Sequence, residues 1–256
     1  LWFAGAAAVA SAQQIQYAEP VQIAVADARA EFEAYGRRFS LQLADNERAL
    51  QKLSTQRKQE LRHYRLLRGV IEGEAGSWVR LTESAAGLEG AIWDGRELYA
   101  VSSYERIAEM LSTPLAADPR QTVIYRLSDT HDALPHDFCA LEAGAPALRK
   151  QSALDQYRTL VTRLAALTPG SIDSQIEIAL VADSAFAAAE SADPTAAMLA
   201  RFNIVEGIYA EQLGLLVLAS DVRVLPASDD PFTTTNAASL LEQFGSWRAS
   251  NASIRA

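Results

Sequence analysis

The stretch from His63 to Tyr104, "HYRLLRGVIEGEAGSWVRLTESAAGLEGAIWDGRELYAVSSY", limits the possible folds of this chain more than any other. Gly69, Gly73, Gly76, Gly87, Gly90 and Gly95 cut it into short apolar runs. Such runs, bounded by turn residues, predict about four short antiparallel strands. Upstream, "EFEAYGRRFSLQLAD" (31–45) alternates on either side of Gly36, with Phe39, Leu41 and Leu43 on one face, which predicts a hairpin. Residues 46–62, rich in Glu, Lys, Arg and Gln, read as a solvated helical or linker stretch. Between 112 and 150 the pattern dissolves into Pro, Asp and Ala, apart from one expected strand, "QTVIYRLS". The first half should therefore be mainly β.

The second half is written differently. "SALDQYRTLVTRLAALTPGS" reads as an amphipathic helix, with Leu154, Leu160, Val161, Leu164 and Leu167 on its apolar side, stopped by Pro169-Gly170. "IEIALVAD" (176–183) is a near-continuous apolar run, as expected of a strand buried on both faces. "PTAAMLARFNIVEGIYAEQLGL" spaces Met198, Phe202, Val205 and Tyr209 as a helix with one buried face. "LLVLASDVRVL" reads as a second buried strand and "AASLLEQFGSWRAS" as a second helix. This β-α-β-α order predicts an α/β layer with parallel strands and places a domain boundary near residue 170.

Composition removes several classes of function. The net charge of −9, from 23 basic and 32 acidic residues, gives no general electrostatic reason to bind nucleic acid. No run approaches the roughly 18 consecutive apolar residues of a membrane span. A single cysteine cannot form an internal disulfide. The opening "LWFAGAAAVASAQQ" ends its apolar run in Ala10-Ser11-Ala12, so residues 1–12 read as the remnant of a signal peptide and the protein as secreted or periplasmic. An Ala-rich helix at a domain start is the other reading of those residues.

Two segments, taken together, resemble one family. In the first, His63, Tyr64, Val70, Ser77, Gly87, Leu88 and Gly90 follow the order of the H-Y-x-G-x-V … S … G-L-x-G signature. That signature belongs to the propeptide of reprolysin-like (adamalysin, or ADAM-type) metzincin zinc metallopeptidases. The second, from "IEIALVAD" through "FNIVEGIYAEQLGLLVLASDVRV" to "LLEQFGSWR", is similar to the opening of that family's catalytic domain. Arg62 and Ala85 stand where animal members usually have Cys, and Leu66-Leu67 stand in place of the signature's first Gly, with Gly69 shifted. The resemblance implies an α+β chain: a mainly β propeptide domain, then a truncated α/β metzincin-like catalytic domain. The implied divisions are 1–12 signal remnant, 13–150 propeptide domain, 151–171 helical linker, and 172–256 the N-terminal part of the metallopeptidase domain. Its H-E-x-x-H-x-x-G-x-x-H motif, with three zinc-binding His and a Glu base, does not occur here, since His63, His131 and His136 are the only histidines.

The resemblance therefore implies the front of a zinc metalloendopeptidase zymogen, inactive by itself, acting as a whole enzyme on protein or peptide substrates. Its propeptide would pack on its own catalytic domain. Cys139, in "LPHDFCALEAG", would be the inhibitory zinc ligand, its thiolate filling the position of the nucleophilic water. Read from the residues alone, Cys139 is open to three other meanings. It could be a small buried side chain, a nucleophile paired with His136, or part of a local metal site with His131, Asp132 and His136. Glu177 sits where relatives place a calcium-binding carboxylate, an ordinary strand-end Glu being the alternative. Arg149-Lys150 reads as a processing site or as a solvated basic pair. Asp183 is expected to cap a turn, and Asn203 and Tyr209 to pack and hydrogen-bond. Truncation would leave an unpaired strand edge, with Leu215, Val217, Phe244 and Trp247 uncovered. An exported, non-catalytic β-rich binding or chaperone-like module is the competing reading.

Overall fold

Tyr35 and Gly36 hold φ angles of 53° and 69°, the left-handed pair that a two-residue hairpin turn requires. The chain reverses there, setting Phe32 opposite Phe39 with their rings stacked at 4.9 Å. The computed structural model describes residues 2–3, 14–131, 172, 174–190, 193–234, 236–251 and 254. Cys139, Asp132, His136, Arg149, Lys150 and the helix expected within 151–171 lie outside the described residues.

The strands are β1 (Trp2–Phe3), β2 (Gln14–Ile15), β3 (Glu19–Pro20), β4 (Arg29–Ala34), β5 (Arg37–Asp45), β6 (Arg65–Ile71) and β7 (Trp78–Ser84). They continue as β8 (Gly87–Trp93), β9 (Leu98–Ser103), β10 (Thr122–Arg126), β11 (Thr130–His131), β12 (Ser174–Ala182) and β13 (Leu215–Val224). The helices are α1 (Thr55–Glu60), α2 (Tyr104–Ile107), α3 (Ser184–Ala189), α4 (Pro194–Leu213) and α5 (Ala237–Ser250).

Eight antiparallel strands form one sheet in the order β3-β10-β9-β8-β7-β6-β5-β4. It curls into a near-barrel, and the Tyr35 N–H donates to Glu19 Oε2 at 2.8 Å, tying the two end strands together. Phe32, Phe39, Leu41, Leu81, Ile92 and Ile124 fill its inner face. The four strands expected between 63 and 104 are present, as are the hairpin and the strand in "QTVIYRLS". The architecture is α+β and mainly β.

β12 and β13 run parallel, joined through α3 and α4, and β1 pairs in parallel with the end of β12. This is the β-α-β order expected. Asp193 caps the N-terminus of α4, Pro194 occupies its first turn, and Gly214 ends it at φ 64°. The helix is buried on two sides. Met198, Leu199 and Phe202 meet Leu180, Val217 and Ala219 of the small sheet, while Ile204 and Ile208 meet Trp78 and Trp93 on the outer face of the large one.

Being sandwiched alters several expectations. The buried side of α4 includes Asn203, Glu206 and Gly207, whereas Val205 is half-buried and Tyr209 is exposed. Residues 46–62 are partly helical and largely exposed, as expected, but Asn46, Ala49, Leu53 and Leu61 are buried and Arg48 turns inward. β12 is buried only at Leu180, Val181 and Ala182, and its first four residues are exposed. Val217 is 1% exposed, because it lies in the cluster that α4 and the Glu47–Leu50 turn form over β13. Gly69 lies within a strand rather than at a turn, and a Cβ there would stand 2.0 Å from the Gln42 carbonyl oxygen. Among the described residues, no helix is long and apolar enough to cross a membrane.

Candidate functional site

Alternation along β7 sends Val79 and Leu81 into the barrel and Trp78, Arg80 and Thr82 outward. The outward side is where α4 lies, so an arginine ends up at the middle of a helix–sheet joint. Arg80 is 1% exposed and Glu206 of α4 is 0% exposed. Arg80 Nε donates to Glu206 Oε2 at 2.8 Å, Nη1 to the Val79 carbonyl at 3.0 Å, and Nη2 to Glu211 Oε1 at 3.0 Å.

The rest of the joint satisfies what this pair leaves open. Arg48 Nε donates to Glu206 Oε1 at 3.1 Å. Asn46 Nδ2 donates to Glu206 Oε2 at 3.1 Å and to Asn203 Oδ1 at 2.8 Å. Asn203 Nδ2 in turn donates to the Leu67 and Leu81 carbonyls at 3.1 and 2.9 Å. Burying two charges costs several kcal/mol per ion, a cost offset only when the ions are close and fully hydrogen-bonded. Both conditions hold here.

Two glycines make room for Arg80. A Cβ on Gly207 would stand 2.5 Å from Arg80 Cγ and 3.1 Å from Nε. A Cβ on Gly90, at φ 156°, would stand 2.0 Å from the Arg80 carbonyl oxygen. Gly90 closes the G-L-x-G motif, so that motif has a structural role beneath the buried arginine.

The joint is divided by charge. Residues 174–256 carry four basic and ten acidic side chains, and cations from the preceding half meet them. Lys52 Nζ lies 2.5 Å from Glu177 Oε1, Arg106 pairs with Glu190, and Arg57 Nε donates to the Val222 carbonyl at 3.0 Å. Arg106 Nε also lies 2.5 Å from Glu89 Oε1. Burial pushes the Glu89 carboxyl above its ordinary value, against the pull of Arg106. The Tyr64 hydroxyl donates to Asp193 Oδ1 at 3.0 Å. Burial, then that carboxylate, pushes its pKa up to about 12.

The expected site residues fall in separate places. Tyr64 of the His-Tyr pair reaches the cap of α4, with the His63 ring 4.0 Å from its own. Ser77 Oγ closes the β6–β7 turn, accepting from the Ile71 N–H at 2.9 Å. Glu177 carries the Lys52 ion pair, and Asp183 caps α3 by accepting from the Phe186 N–H at 2.6 Å. Asn203 packs and hydrogen-bonds as expected, while Tyr209 faces outward. His131 is exposed on β11. Among the described residues, no three His, Cys, Asp or Glu side chains are grouped to hold a metal. The zinc reading concerns Cys139 and ligands outside those residues.

The Arg80–Glu206 pair was not foreseen. Its traces were a lone Arg inside "SWVRLT" and a polar Asn203-x-x-Glu206-Gly207 stripe on an otherwise apolar helix. What the cluster can do is hold: its cations, carboxylates and amides bond to one another across the two halves, with Asn46 Oδ1 left buried and unpartnered among the described residues. No protein-family model matches this sequence, and no curated protein matches it.

Proposed function

We propose that this chain is the N-terminal part of a secreted or periplasmic zinc metalloendopeptidase zymogen, in which the β-rich segment within 13–150 is a propeptide. That segment clamps the opening strand-helix-strand of the catalytic domain and keeps the enzyme latent. The observation that carries the reading is the buried Arg80–Glu206 pair. A helix whose buried carboxylate is neutralised, among the described residues, by arginines of the preceding segment depends on that segment to fold, as a catalytic domain depends on an assisting propeptide. The one-sided charge of the joint and the contact of Tyr64 with the α4 cap support it. Cys139 supplies the latency thiolate, and zinc is held by histidines other than the three of this chain. Calcium at Glu177 belongs to the same reading. The whole enzyme cleaves protein or peptide substrates.

A longer product of the same reading frame tests this. It should gain chelator-sensitive peptide hydrolysis once the propeptide is cut, and Cys139→Ala should raise activity before cutting. A frame without H-E-x-x-H ends the protease reading, and a Cys139→Ala zymogen as silent as the parent ends the cysteine-switch reading. The joint would then serve a non-catalytic exported module.

A further inference from the structure

We propose that Arg106, shared between Glu89 of the first half and Glu190 of the second, makes the joint a proton-operated clasp that grips more tightly as pH falls. The inference concerns the joint itself, so its failure would leave the zymogen reading standing. Alternation along β8 sends Leu88 into the barrel and Glu89, Ala91 and Trp93 outward, onto the face that α4 covers. Arg106 of α2 reaches Glu89 Oε1 with its Nε at 2.5 Å, and its Nη1 pairs with Glu190 Oε2 at the end of α3. Arg201 of α4 pairs with Glu190 Oε1 and lies 4.8 Å over the Phe186 ring. The Glu89, Glu190 and Arg106 side chains are 17%, 14% and 19% exposed, so salt and solvent screen them little.

The charges gathered there do not balance. Two arginines, Arg106 and Arg201, face three carboxylates, Glu89, Glu190 and Asp193. Glu190 holds both arginines. Asp193 accepts from the Ala196 N–H at 2.9 Å and from the Tyr64 hydroxyl at 3.0 Å. Glu89 has its share of Arg106, with the buried phenol of Tyr125 nearby. It is the least compensated of the three, and so the one that takes a proton first.

Burial, joined by the charges of Glu190 and Asp193, outweighs Arg106 and Arg201 and raises the Glu89 pKa in the closed joint. When the halves part, Glu89 meets water and returns toward its ordinary value. The closed joint therefore binds the proton better than the open one. It strengthens as pH falls and weakens as pH rises through the folded value. Arg106 Nη2 has no hydrogen-bond partner among the described residues, so the guanidinium is free to turn to Glu190 once Glu89 is neutral. On the zymogen reading, the propeptide would be released more easily at neutral pH than in acid.

Hydrogen exchange of the α4 amides tests this on the purified chain, read by mass spectrometry and divided by the intrinsic rates at each pH. In the wild type, α4 protection should rise at least about threefold as pH falls from neutral toward the ordinary Glu value, the scale of one charge pair. Glu89→Gln, which mimics the protonated acid, should show the higher protection already at neutral pH and respond less to acid. Glu190→Gln should shrink the response of the wild type, because Arg106 then serves Glu89 alone. If Glu190→Gln loses its fold by circular dichroism, Arg201→Gln takes its place and should enlarge the response, since Arg106 must then serve both carboxylates. A Glu89→Gln chain that tracks the wild type at every pH overturns the inference. So does a response that these changes at Glu190 or Arg201 leave unaltered, which would mean that Glu89 answers to its own burial and not to a clasp across the joint.

Discussion

Replacing Arg80 with Met keeps most of the aliphatic stem and removes the guanidinium. Three hydrogen bonds disappear with it, to Glu206, Glu211 and the Val79 carbonyl. The decisive loss is at Glu206, which is fully buried and would be left with Arg48 and Asn46. Removing one partner of a buried ion pair costs about 3–5 kcal/mol. Arg48 remains on Oε1 at 3.1 Å, which places the expected cost near the lower end, about 3 kcal/mol. For a chain of this size that corresponds to a fall in Tm of about 6–12 °C. The companion change Glu206→Leu strands Arg80 in the same way. The double variant Arg80→Met with Glu206→Leu should lose less than the two singles combined, by at least about 2 kcal/mol, because neither charge is left orphaned. Urea unfolding of the wild type, both singles and the double, followed by circular dichroism, measures the coupling. Additive effects, or a cost below about 1 kcal/mol for Arg80→Met, would refute the claim that this pair organises the joint.

Gly207→Ala should destabilise by about 1–3 kcal/mol although alanine is the better helix former, because its methyl would meet Arg80 in a closed space. Gly245→Ala on α5, where nothing lies within 4 Å, should instead stabilise by up to about 1 kcal/mol, and thermal unfolding of the two together separates packing from propensity. Glu89 gives a pH dependence of definite sign. Its folded pKa is raised by burial, so its contribution is fully present below the ordinary Glu value and is lost as pH rises through the folded one. Relative to Glu89→Gln, the wild type should therefore gain stability as pH falls from neutral toward the ordinary Glu value, and parallel stability curves would contradict this.

Much of the architecture was legible because it is written locally. Alternation around Gly36, glycines spaced between short apolar runs, and the Asp193-Pro194 start and Gly214 stop of α4 act within a few residues. They determine strands, turns and helix ends wherever the chain goes. Tertiary structure decided which faces those elements hide. α4 was expected to bury the Met198-to-Tyr209 side, yet it lies between two sheets, so Asn203, Glu206 and Gly207 are buried as well and Tyr209 is not. The polar segment 46–62 became partly packed because Ala49, Leu53 and Leu61 found apolar neighbours in the small sheet. Arg80 and Glu206 are 126 residues apart. In sequence each is an ordinary charge; burial beneath the helix, where no water can solvate them, turns them into a pair on which the joint depends.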